Sequence, residues 1–102
     1  MKAQLVLQFD GASISDFDRL VSFEELLRQQ LGGRAVVDGH DFGSGEFNIF
    51  ILTNDARLTF RLAAEIARTQ GLFDAIRAGY RAIDADDFSV LWPPESGNFS
   101  IR

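Results

Sequence analysis

The side chains able to act on a substrate gather in one short stretch, VDGHDFGSGEF, where Asp38, His40, Asp41, Ser44 and Glu46 fall within nine positions. His40 is the single histidine, and the chain has no cysteine, so any metal site would be rich in oxygen ligands. Asp38, His40 and Asp41, with Glu46 returning across a turn, could supply three or four such ligands. Their spacing lacks the alternating acidic positions and distal glutamate of a calcium loop. An imidazole beside a carboxylate could act as a general base, with Ser44 as a nucleophile. Gly43-Ser44-Gly45 is a poor phosphate cradle, because such cradles open into a helix N-terminus, whereas these glycines lead into a strand with acidic neighbours. The opposing reading is a turn, in which Asp38 and Asp41 accept backbone N–H groups and Gly39, Gly43 and Gly45 supply the backbone freedom. That reading expects no catalytic residue, metal or cofactor, and leaves the five loop residues as an alternative site.

The elements that would hold this stretch are legible from periodicity. Ala3 to Phe9 alternates, with Ala3, Leu5, Leu7 and Phe9 on one side and Gln4, Val6 and Gln8 on the other, which is a strand. Ser13 or Ser15 could cap a helix running from about Asp16 to Leu31, with Phe17, Leu20, Phe23, Leu27 and Leu31 on its apolar face and Gly32-Gly33 at its end. Glu24 and Arg28 on that helix are spaced for a surface ion pair. Arg34 to Val37 reads as a short strand, and Glu46 to Thr53 as a stronger one.

Asn54 or Asp55 caps a second helix to about Gln70. Leu58, Leu62, Ala63, Ile66 and Ala67 form its packing face, Arg57, Arg61, Glu65 and Arg68 its solvated face, and Gly71 its end. Ile76 to Ile83 alternates again, and FSVLW before Pro93-Pro94 is a short fifth strand. The order β-α-β-β-α-β predicts an α+β, ferredoxin-like two-layer sandwich with a short extra C-terminal strand. Residues 1–93 are expected to form one domain and residues 94–102 a mobile tail.

Ten phenylalanines against one tyrosine and one tryptophan point to aromatics that fill a core. The formal net charge of −5 repels phosphate backbones, so no nucleic-acid partner is expected. The RNA-recognition domain has the same element order, but its third strand places aromatics two apart, on one face. Here Phe47 and Phe50 are three apart and fall on opposite faces. No segment approaches the length of a membrane span and the N-terminus is not a signal peptide, so a cytoplasmic protein without membrane contact is expected.

On the sheet face away from the helices, Val6, Asn48, Phe50, Leu52, Arg77 and Arg81 form the expected interaction surface, an apolar patch with a polar rim. The segments VDGHDFGSG (37–45), NIFI (48–51) and VLWP (90–93) make the chain similar to a group of small uncharacterised bacterial proteins. That resemblance implies a bacterial cytoplasmic protein and carries no activity. The function expected from sequence is a non-enzymatic protein-protein interaction module, acting by self-association or by inhibitor- or immunity-like binding of a protein partner. The alternative is a small enzyme or metal-binding protein centred on the Asp38-His40-Asp41-Glu46 loop.

Overall fold

The computed structural model describes residues 1–10 and 14–101, with side chains from residue 17 onward in the first helix. It is an α+β fold in which two helices pack on a five-stranded antiparallel sheet. The strands are β1 (Ala3–Asp10), β2 (Ala35–Gly43), β3 (Glu46–Thr53), β4 (Arg77–Ala82) and β5 (Ser89–Trp92). The helices are α1 (Ile14–Leu31) and α2 (Ala56–Thr69). The sheet order is β2-β3-β1-β4-β5, with β5 at the edge beyond β4, and is not a simple ferredoxin-like order.

Alternation in β1 sends Leu5, Leu7 and Phe9 into the core beneath the helices, where Leu20, Phe23 and Leu27 of α1 and Ala63, Ile66 and Ala67 of α2 meet them. Phe9 and Phe23 pack edge to face, with centroids 5.9 Å apart. Burying one such side chain contributes about 1.5–3 kcal/mol, so this single core is the main source of stability.

Asp55 caps α2 by accepting the Leu58 N–H at Oδ1 (3.1 Å), and Gly71, at φ 68°, ends the helix in the left-handed region. The packing face of α2 includes Leu62, Ala63, Ile66 and Ala67 as expected but not Leu58. Ala56, Thr59, Ala63, Ala64, Ile66 and Ala67 are buried, whereas Leu58 is 44% exposed. Thr59 goes inside because its hydroxyl pairs with that of Thr53 at 2.7 Å, which rotates the helix away from Leu58. The expected cap of α1, Ser13 or the Ser15 side chain, lies outside the described residues.

The other face of the sheet reads in rows set by register. From β2 to β4, Val36, Leu52, Gln4 and Arg81 form one row, and Gly39, Phe50, Val6 and Gly79 the next. Asp41, Asn48, Gln8 and Arg77 form a third, followed by Gly43, Glu46 and Asp10. The segment after β5, read from sequence as a tail, lies across this open face: Phe99 sits on Gly79, where a Cβ would collide with its ring.

Candidate functional site

The stretch 38–43 is strand rather than loop, because β2 continues to Gly43 and pairs with β3 along its length. The turn is Ser44-Gly45 alone, with φ of 53° and 77°. Positive φ at both central residues is the geometry of a two-residue hairpin matched to strand twist. The register shifts between Val37 and Gly39, so Asp38 is an extra residue in a β-bulge. A bulge reverses the facing of everything beyond it. Val37 and His40 therefore share the helix-side face, and Phe42 follows His40 there.

On that side His40 Nδ1 lies 2.9 Å from Oε1 of Glu24, a glutamate on α1 whose side chain is only 4% exposed. In the pairing of an ionised carboxylate with this ring nitrogen the carboxylate accepts and the imidazole N–H donates. The His40 ring stacks on Phe47 at 4.8 Å and meets Phe17 edge-on, and Phe42 packs on both phenylalanines. Glu24 Oε2 stands 3.5 Å from Nη2 of Arg28 and has no hydrogen-bond partner among the described residues. The Glu24–Arg28 pair is thus half-buried rather than a surface pair: Arg28 is solvated and Glu24 is not. Helical spacing alone could not reveal this, since the histidine that draws Glu24 inward comes from another element.

The five residues singled out around the bulge are not brought together. His40 faces the helices, Glu46 is buried on the open face, and Asp38, Asp41 and Ser44 are exposed. Among the described residues no three histidine, aspartate or glutamate side chains converge as a metal site.

Convergence occurs on the open face instead. Glu46, 2% exposed, has Oε2 3.5 Å from Nη2 of Arg77, and the same nitrogen is 3.3 Å from Oδ1 of Asp10. In the next row the Gln8 amide, also buried, donates from Nε2 to Asn48 Oδ1 and to the backbone carbonyl of Ser100, both at 3.0 Å. Polar side chains buried at the centre of a sheet face are costly unless paired, and here each is tied to another strand or to the C-terminal segment. Beneath that segment is a cavity of about 310 Å³, lined by Gln8, Glu46, Arg77, Val90, Trp92 and residues 96–100.

Of the surface expected from sequence, Val6 and Asn48 are fully buried, while Phe50, Leu52, Arg77 and Arg81 are half-buried. Arg81 Nε donates to Gln4 Oε1 at 3.0 Å, and its Nη1 to the backbone carbonyls of Ile83 and Ala85. Sequence reasoning missed the contribution of Gln8, Trp92 and residues 96–100 to the cavity. One signal was present, Phe99 and Ile101 in an otherwise polar terminal stretch. Among the described residues no helix is long and apolar enough to cross a membrane. No protein-family model, no curated protein and no solved structure matches the chain.

Proposed function

We propose that the protein is a non-enzymatic interaction module that self-associates through the open face of its sheet. The observation that carries this reading is the strip of Val36, Leu52 and Phe50 on β2 and β3. Val36 is 49% exposed, and the two β3 residues remain partly uncovered beside the C-terminal segment. Acidic groups flank the strip on the β2 side, where Asp38 and Asp41 are exposed, and basic groups flank it on β4, where Arg77 and Arg81 are half-buried. A two-fold arrangement of two copies sets the acidic border of one against the basic border of the other, with the apolar strips between. That complementarity favours a second copy over an unrelated partner, despite the net charge of −5 on each chain. The order of the first four strands supports reading the core as ferredoxin-like with β5 added at one edge, and the part of the open face beside residues 96–100 stays available for contact at Val36, Phe50 and Leu52. The enzyme alternative has no observation in its favour, since the loop residues part to opposite faces.

Light scattering on the wild type, on Val36→Asp and on Phe50→Asp tests the proposal, with circular dichroism as the check on folding. A wild-type dimer that either folded variant converts to monomer is the expected result. A wild type that stays monomeric at high micromolar concentration overturns self-association.

A further inference from the structure

Residues 96–100 roof part of the open face. The Phe99 ring rests on Gly79, where a Cβ would collide with it, and meets the Phe88 ring with centroids 5.5 Å apart. The next residue, Ser100, accepts a hydrogen bond at its carbonyl from Gln8 Nε2 (3.0 Å). Between roof and sheet lies the cavity of about 310 Å³, so the segment bridges the face rather than packing along it. Among the described residues it forms no strand, and its one backbone–backbone hydrogen bond, Ser96 N–H to the Pro93 carbonyl at 3.1 Å, closes the turn that folds it back.

The seat is chemically specific even so. Glycine at 79 leaves room for an aromatic ring, and the buried Gln8, anchored on Asn48, offers an N–H to a main-chain carbonyl one residue further on. What fits is a phenylalanine followed by a small residue, and a second copy of the chain carries that segment by identity. Seat and apolar strip adjoin. Gly79, Val6 and Phe50 stand in one row across β4, β1 and β3, so Gly79 is roughly 10 Å, two strand spacings, from Phe50. Once the Ser96 turn opens, Pro93 and Pro94 keep the link extended, since each proline fixes its own φ and pushes the residue before it out of the helical region. We propose that residues 96–100 exchange between two copies, the roof of each seated on Gly79 and Gln8 of the other. Resting on the self-association proposed above, this exchange adds the means by which the pair is held. It reproduces between copies each contact the roof makes within one, so the loss of freedom on association is what opposes it, and burial of the two apolar strips offsets that loss.

The chain has no cysteine, so Gly79→Cys with Phe99→Cys introduces the only two thiols. They fall where the Phe99 Cβ stands 3.0 Å from the place of a Cβ on residue 79, within a small shift of disulfide range. Oxidation with diamide at high micromolar concentration, read by denaturing mass spectrometry without reductant, should give mainly a covalent dimer. Internally bridged monomer as the sole product, beside a wild type that light scattering finds dimeric, overturns the exchange and leaves self-association standing. A monomeric wild type with monomeric product overturns both. A second test needs no cysteine. Gly79→Ala has a sound roof and a blocked seat, whereas Phe99→Ala has an open seat and a roof without its ring. Mixed in equal amounts, they should form a heterodimer several-fold more abundant than its statistical share, read by native mass spectrometry, because one seat and one roof remain intact across the pair. A statistical mixture of the folded variants overturns the exchange even where the cysteine variant does not fold.

Discussion

Two glutamates are buried in this protein on opposite faces of one sheet, and their surroundings differ: one sits among aromatic rings, the other beside a cavity. Glu24, under the helices, meets His40 at 2.9 Å inside a cluster of Phe17, Phe42 and Phe47. Glu46, on the open face, meets Arg77 at 3.5 Å and borders a cavity of about 310 Å³. Each pair joins distant parts of the chain, so each helps to specify the fold. The second borders a cavity. Glu24 gives Oε1 to His40 and keeps Oε2 without a hydrogen-bond partner among the described residues, whereas Glu46 is tied to Arg77 at the edge of the cavity. The bulge at Asp38 creates the asymmetry, because without it His40 would fall on the open face and Glu24 would have no partner there.

The largest effect should come from the aromatic side. Phe47→Ala removes a fully buried ring that touches His40, Phe17 and Phe42, and should cost about 3–5 kcal/mol, read as a drop in the urea midpoint. Next in size is His40→Ala, which strands the buried Glu24 carboxylate with Arg28 alone at 3.5 Å. Because the His40 side chain is 31% exposed and water can enter the gap, the expected loss is about 2 kcal/mol rather than the full penalty of a dry site. In the background of Glu24→Met, which replaces the carboxylate by an apolar group of similar length, the same histidine change should cost much less. A loss of equal size in both backgrounds would show that His40 acts by packing rather than through Glu24.

The elements themselves were legible because they rest on local signals. Strand alternation in β1 and β3, the Asp55 cap and the Gly71 stop are all written within a few residues of where they act. The open face was read correctly as the side of Gln4, Val6 and Gln8, yet not as covered, since nothing local says that residues 96–100 return across ninety residues of chain to reach Gln8. The stretch around His40 misleads for a related reason. Its three glycines look like a loop, and only the pairing with β3 turns Gly39 and Gly43 into strand residues, leaving the turn to Ser44 and Gly45. A bulge is likewise a property of two strands together, so the side on which His40 falls depends on a register that one strand does not encode.

The roof offers a third way to press the comparison. Gly79→Ala places a methyl group where the Phe99 ring lies, and should lower stability by about 1–3 kcal/mol while lifting the C-terminal segment from Gln8. If the collision is the cause, Phe99→Ala combined with Gly79→Ala should cost less than the sum of the two single changes. Strict additivity would mean that Phe99 does not rest on Gly79 in solution. Neither change should disturb the His40–Glu24 pair, which hydrogen exchange of the β2 amides can verify.

The smallest effect separates the turn from the chemistry first suggested for it. Ser44 holds φ at 53°, a conformation that serine adopts at a cost and asparagine tolerates well, and Gly45 follows it at 77°. Ser44→Asn should therefore raise stability by about 0.5 kcal/mol, seen as a small increase in melting temperature. It should leave the oligomeric state unchanged. A nucleophile would not survive that exchange, since the amide has no hydroxyl to give up. The same substitution that improves the hairpin thus tests whether Ser44 does anything beyond turning the chain, and a gain in stability with self-association intact assigns it to the turn alone.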